Sequence, residues 1–139
     1  MTPSFSGERP AEKERATGFR WRWVVVAGYM AAIFFASSGP GVPLPPGRNL
    51  DKLLHAGAYG VLAVLLVWAL TRGRLRTATG PVLLAAWIVS TAYGATDEWH
   101  QSFVPGRLAD AADLLADALG ALAAAGAIRA WGIIARGSE

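Results

Sequence analysis

Between positions 93 and 107 the sequence sets two carboxylates (Asp97, Glu98), an imidazole (His100), a carboxamide (Gln101) and a guanidinium (Arg107) beside an apolar run. Aspartate and histidine can bind zinc, manganese or calcium, and a carboxylate next to an imidazole can shuttle a proton. Asp97, Glu98 and His100 are therefore the candidate catalytic residues, weighed against a plain role as a polar cluster that caps helices. No His-x-x-x-His or Glu-x-x-His spacing is present, and Asp97-x-x-His100 alone is too weak a pattern to assign a metal, so neither metal nor cofactor is expected. The absence of cysteine removes thiolate ligands, a cysteine nucleophile and disulfides together.

The elements that must hold these groups are apolar. Of 139 residues 53% are hydrophobic, and the mean hydropathy of +0.34 is high for a soluble domain, so membrane spans are expected. Residues 1–20 mix charges with proline, glycine and serine and read as a mobile cytoplasmic tail. Four helices follow, at about residues 21–38, 51–70, 81–99 and 109–128, each long enough to cross a core of ~30 Å. They define an all-α polytopic bundle over residues 21–134, with a short cytoplasmic tail at 135–139. The first run could instead be a signal peptide cleaved near Ser38, given the small residues Ala36, Ser37 and Ser38. Asp51 is a plausible N-cap, Pro81 suits a first turn, and Pro105-Gly106 forms a turn. Trp21, Trp23, Trp99 and Trp131 read as interface anchors.

Of the 13 lysines and arginines, all but Arg48, Lys52 and Arg107 fall in the termini or in the loop at 71–79. The positive-inside bias then puts both termini in the cytoplasm (N-in/C-in) and the loop carrying Arg107 outside. Because the basic residues are split among three segments, nucleic acid is not an expected partner. This topology, which uses only lysine and arginine, brings Asp51, Asp97, Glu98, Asp110, Asp113, Asp117, His55 and His100 to the outer side. Asp51, His55 and Tyr59 share one face of helix 2, and Tyr93, Asp97, His100 and Gln101 one face of helix 3; Asp110, Asp113 and Asp117 share one face of helix 4. Beside them Ala109, Ala112, Ala116, Gly120, Ala123 and Ala127 form a stripe of small residues suited to close helix approach, so helix 4 should be central with its aspartates turned inward.

An unpartnered aspartate in a membrane helix costs of order 2.5–3.5 kcal/mol at the centre. Asp117, two turns inside helix 4, therefore needs a partner: His55, Tyr59, Lys52, Arg107 or water. The excess of carboxylates over basic groups on this side should attract cations or cationic substrate groups. Arg107 could bind a phosphate or carboxylate of a substrate, or neutralise Asp110 and Asp97.

Asp51-Lys52 with His55 and Tyr59, Tyr93-Gly94 followed by Asp97-Glu98-Trp99-His100-Gln101, then Phe103-Val104-Pro105-Gly106-Arg107, then Asp110, Asp113 and Gly120, resemble the VanZ-like family across residues 24–128. Two positions depart from that pattern: Asp117 stands where the family usually has asparagine, and Ala56 where an aromatic is common. The resemblance implies a multi-pass protein of the bacterial inner (plasma) membrane, in a family named for a protein linked to teicoplanin resistance; it implies no established reaction. The expected function is an outward-facing polar pocket that binds a cell-envelope component or contributes to glycopeptide resistance. Its ligand-binding residues would be Asp51, His55, Tyr59, Asp97, Glu98, His100, Gln101, Arg107, Asp113 and Asp117. The expected partners are the lipid bilayer and an envelope lipid, a peptidoglycan precursor or a glycopeptide. The alternatives are a membrane-embedded metal- or acid/base-dependent enzyme acting on lipid-linked envelope precursors, and a structural assembly factor.

Overall fold

A computed structural model describes residues 10–39, 50–107 and 109–137. The described chain is all-helical: α1 (Pro10–Ser37), α2 (Leu50–Leu70), a 3-10 turn (Leu75–Thr77), α3 (Gly80–Gln101) and α4 (Ala111–Gly137), with no strand among the described residues.

Each helix ends for a local reason. At the end of α2, Arg72 and Gly73 adopt positive φ (55° and 90°) while Gly73 N–H donates to the Trp68 carbonyl (2.7 Å) and Arg72 N–H to Ala69 (3.2 Å). This is a Schellman motif, with an arginine in the left-handed position where glycine is usual. Pro81 lies in the first turn of α3, where its missing N–H leaves no bond unmade. At the start of α4, Asp110 caps the helix, its Oδ1 accepting the Ala112 N–H at 2.8 Å.

Two boundaries lie beyond the sequence expectation. Residues 10–20, read as tail, belong to α1. Pro10 presets φ for a first turn, and Ala11, Glu12, Lys13, Glu14, Arg15 and Ala16 are strong helix formers, a local preference that outweighs the polar composition. Helix α4 continues to Gly137 instead of ending near residue 128. The reason is packing against the basic loop: the Arg76 guanidinium lies 5.9 Å from the Trp131 ring centroid, and Gly132 sits directly against the Arg76 carbonyl.

The bundle is organised on α2 and α4, which share the largest interface; α3 packs on both, and α1 packs chiefly on α2. The core consists of Val26 from α1, Tyr59, Leu62, Leu66 and Val67 from α2, Leu83 and Ala86 from α3, and Ala125 and Ile128 from α4. Close approach of α2 and α4 depends on Gly120, where a Cβ would run into the Ala56 backbone. Of the expected small-residue stripe, Ala116 and Gly120 face inward, whereas Ala109, Ala112, Ala123 and Ala127 are exposed. The buried line instead runs through Ala116, Asp117, Ala121, Ala125, Ile128 and Gly132, because α4 is rotated to bury Asp117. Three tyrosine and tryptophan side chains tie helices to neighbouring backbone: Tyr29 Oη donates to Ala58 O (3.1 Å), Tyr93 Oη to Met30 O (2.7 Å) and Trp87 Nε1 to Ala118 O (3.0 Å).

Helices α2 and α4 are long and apolar enough to cross a membrane. Arg20 and Arg22 in α1 and the polar residues 96–101 in α3 dilute the hydropathy of the other two helices. Large apolar side chains nonetheless cover the outside of the bundle, including Val24, Phe35, Leu84, Ile88, Leu115, Leu119 and Ile134. Trp21, Trp99 and Trp131 are exposed, while Trp23 packs against the core.

Candidate functional site

The end of α1, the start of α2, the end of α3 and the start of α4 meet at one end of the bundle, which groups Asp51, Lys52, His55, Asp97, Glu98, His100, Arg107, Asp110, Asp113 and Asp117. Lys52, in the first turn of α2, lies 2.5 Å from Asp110 Oδ2, 2.6 Å from Asp113 Oδ1 and 3.2 Å from Asp51 Oδ2. One ammonium thus joins three carboxylates from two helices, using all of its donors. The Lys52 ammonium also holds the Asp110 carboxyl below the usual carboxylate range, helped by the Ala112 N–H. Of the partners expected for Asp117, Lys52 is therefore committed elsewhere.

Asp117 is completely buried and meets His55, whose Nδ1 lies 3.0 Å from its Oδ1. With Asp117 ionised its carboxylate can only accept, and this bond then requires the imidazole proton on Nδ1. The second Asp117 oxygen lies against Gly94, where a Cβ would come within 2.6 Å of it, and makes no hydrogen bond. One turn further along α2, the Tyr59 ring is buried between His55 (centroids 6.5 Å apart) and Tyr93 (6.3 Å), and its hydroxyl makes no hydrogen bond among the described residues.

The three candidates on α3 do not converge on one point. Asp97 turns toward α1: its Oδ1 accepts the Ser37 hydroxyl (2.5 Å) and its Oδ2 the Gln101 amide (3.1 Å). Glu98 turns toward α4, where Oε2 accepts the Asp110 N–H at 2.8 Å, while Oε1 is buried without a partner among the described residues. His100 lies against the end of α1, its ring tilted 31° to that of Phe34 (centroids 4.3 Å apart) with Nε2 3.1 Å from the Ser38 hydroxyl. Helical geometry sets Glu98 apart, about 100° from Asp97 and about 160° from His100, whereas Asp97 and His100, about 60° apart, both turn toward the end of α1.

Arg107 forms no ion pair with Asp97 or Asp110 among the described residues. Instead its Nε donates to the Gly39 carbonyl (3.1 Å) and Nη2 approaches Ala36 O at 3.5 Å, so the guanidinium neutralises the carbonyl end of α1. Neutralisation of the two aspartates is thereby corrected; the remaining donors of the fork are left for another acceptor.

Between these groups lies a cavity of about 300 Å³ lined by Ile33, Ala36, Ser37, Asp51, Leu54, His55, Ala58, Tyr59, Asp97, Gln101 and Arg107. It collects six of the residues singled out in the sequence; Glu98, Asp113, Asp117 and His100 are not among its lining residues. Ser37 was missed by sequence reasoning, its small polar side chain having been read as part of a cleavage site. The pairing with Asp97 depends on α1 packing beside α3, which no local spacing reveals. His55, Glu98 and Asp113 each offer one donor atom, and these atoms lie within 4.8 Å of one another. No motif announced that group, because each member comes from a different helix.

These features define an all-helical bundle with two helices of membrane-spanning length, an apolar outer surface and an ionisable cluster at one end. The VanZ/LLP1 family model matches residues 12–134, nearly the whole chain, and the protein belongs to that family. The family resemblance drawn across residues 24–128 is thereby borne out. No curated protein and no solved structure matches the chain.

Proposed function

We propose that the protein is a four-span membrane protein of the cell envelope, with both termini in the cytoplasm and its polar cavity open to the outer side, and that the cavity binds an amphiphilic envelope component. The observation that carries this reading is the composition of the cavity: Ile33, Leu54 and Ala58 supply an apolar wall, while Asp51, His55, Asp97, Gln101 and Arg107 supply convergent polar groups. Arg107 suits a phosphate or carboxylate and Asp51 a cationic group, so an envelope lipid or a peptidoglycan precursor fits both ends of the charge pattern. Sequestering such a component would be one route to altered glycopeptide susceptibility, the phenotype attached to the family's namesake.

Several features favour the four-span topology. Basic side chains dominate the end formed by the loop at 71–79 and the termini, large apolar side chains cover the outside, and α1 is bonded into the bundle through Tyr29, Ser37 and Tyr93. The last point favours retention of α1 over cleavage near Ser38.

The test is native mass spectrometry of the protein released from native membranes. The expected result is a co-purifying envelope lipid or precursor that is lost in Asp97→Asn and Arg107→Ala, while both variants still insert and keep their helical circular dichroism. Retention of the ligand in both variants overturns the reading. Loss of insertion or expression in both favours a structural assembly factor. A catalytic version is favoured by the pairing of His55, on the cavity wall, with the buried Asp117 behind it, an imidazole–carboxylate arrangement suited to proton transfer. It requires turnover of a lipid-linked precursor that depends on His55.

A further inference from the structure

The geometry points to a divalent metal site, of the zinc class, formed by His55 Nε2, Glu98 and Asp113, one ligand from each of α2, α3 and α4. Four observations carry it. One donor atom from each of the three side chains lies within 4.8 Å of the others, and His55 Nε2 is 3.9 Å from Asp113 Oδ2. His55 Nδ1 lies 3.0 Å from Asp117 Oδ1, so Nε2 is directed away from Asp117, and with the ring proton on Nδ1 its lone pair is free for a metal. Such a carboxylate behind a ligating imidazole is the usual way of fixing its tautomer and orientation in metal centres. Glu98 is more than nine-tenths buried, and its Oε1 has no hydrogen-bond partner among the described residues. An unpaired carboxylate oxygen there is expensive unless a cation or proton faces it. Finally, Asp113 divides its two oxygens, with Oδ1 on Lys52 and Oδ2 turned toward His55, so it can serve a metal without giving up its ion pair.

Zinc bonds of about 2.0–2.2 Å set tetrahedral donor atoms roughly 3.3 Å apart. The present separations therefore need to close by no more than about 1.5 Å, within reach of side-chain rotation alone. One imidazole and two carboxylates suit zinc better than calcium, which takes about 6–8 oxygen ligands. Three protein ligands leave a fourth position for water or a substrate oxygen, the pattern of sites that act on a bound group rather than merely hold the fold. His55 also lines the cavity, so the ion would sit at its wall. The site does not depend on whether the cavity binds an envelope component.

The test uses full-length protein in detergent, stripped with a chelator, returned to metal-free buffer and titrated with zinc chloride by calorimetry and native mass spectrometry. One zinc per chain is expected. Asp117→Asn should weaken binding about 10- to 100-fold, as outer-shell changes do, and Glu98→Gln and Asp113→Asn should weaken it more. Asp97→Asn, which alters the cavity but removes no ligand, should retain the zinc even as it loses the envelope component. Cobalt substituted for zinc should give the visible absorption of a tetrahedral site in the wild type and not in Glu98→Gln, with circular dichroism showing that the variant is folded. No saturable binding, or binding unchanged in both Glu98→Gln and Asp113→Asn, overturns the assignment.

Discussion

Gly94→Ala should injure the site through Asp117. A Cβ at position 94 would stand 2.6 Å from Asp117 Oδ2, against the 3.4 Å at which ordinary contact begins, so the carboxylate must retreat by about 0.8 Å. It has no space to do so freely, being fully buried, and its other oxygen holds His55 Nδ1 at 3.0 Å. A movement of that size takes the bond beyond the range in which hydrogen bonds are effective. Overpacking of this kind costs about 1–3 kcal/mol, and loss of a hydrogen bond to a charged group about 1.5–3 kcal/mol, while exchanging glycine for alanine within a helix returns about 1 kcal/mol. The net loss should be roughly 1.5–5 kcal/mol. The assay is unfolding in detergent followed by circular dichroism, run as a double-mutant cycle with Asp117→Ala. In that background the carboxylate is gone and only a Cβ contact of 3.2 Å remains, so Gly94→Ala should become close to neutral. Equal losses in both backgrounds, meaning strict additivity, would refute the proposed contact.

Other positions give independent checks. Gly120→Ala should strongly destabilise the bundle, because its Cβ meets the Ala56 backbone and forces α2 and α4 apart, whereas Gly126→Ala, which faces open space, should be neutral or mildly stabilising in the same unfolding assay. Tyr93→Phe removes the 2.7 Å bond to the Met30 carbonyl and should cost about 0.5–1.5 kcal/mol; Tyr59→Phe, which removes a buried hydroxyl that meets no hydrogen-bond geometry among the described residues, should not lower stability. Lys52→Met should lower the unfolding midpoint by leaving Asp113 and its neighbours without their shared cation, and Lys52→Met combined with Asp113→Asn should recover part of the loss.

The sequence exposed some levels of this structure and hid others. Long apolar runs bounded by glycine, proline and charge mark helices because burial of apolar surface and helical backbone bonding agree there. The polar grouping was visible for the same reason, since Asp51, His55, Asp97 and Asp117 interrupt runs that are otherwise apolar. Helix ends were less legible: the polar residues 10–20 and the segment after Arg129 are helical because of local propensity and contact with Arg76, not hydropathy. The rotation of α4 was hidden too. Its alanines are nearly uniform around the helix, so the buried face is decided by Asp117 meeting His55, a contact 62 residues apart in sequence. Adjacent residues Asp97 and Glu98 serve different neighbours, Ser37 on α1 and Asp110 before α4, which spacing along a single helix cannot disclose. The Arg107 contacts with Gly39 and Ala36 are likewise tertiary, and charge arithmetic pointed to the aspartates instead.

In the proposed topology the polar end of the bundle, with its cavity, faces outward across the membrane. The natural chain contains no cysteine, so single cysteines report without a background. Ser102→Cys lies in the exposed turn at the polar end and Thr77→Cys in the exposed basic loop at the other. In intact spheroplasts a membrane-impermeant maleimide should label Ser102→Cys at once and Thr77→Cys only after permeabilisation. Labelling of Thr77→Cys from outside, or protection of Ser102→Cys until the membrane is breached, would contradict the account.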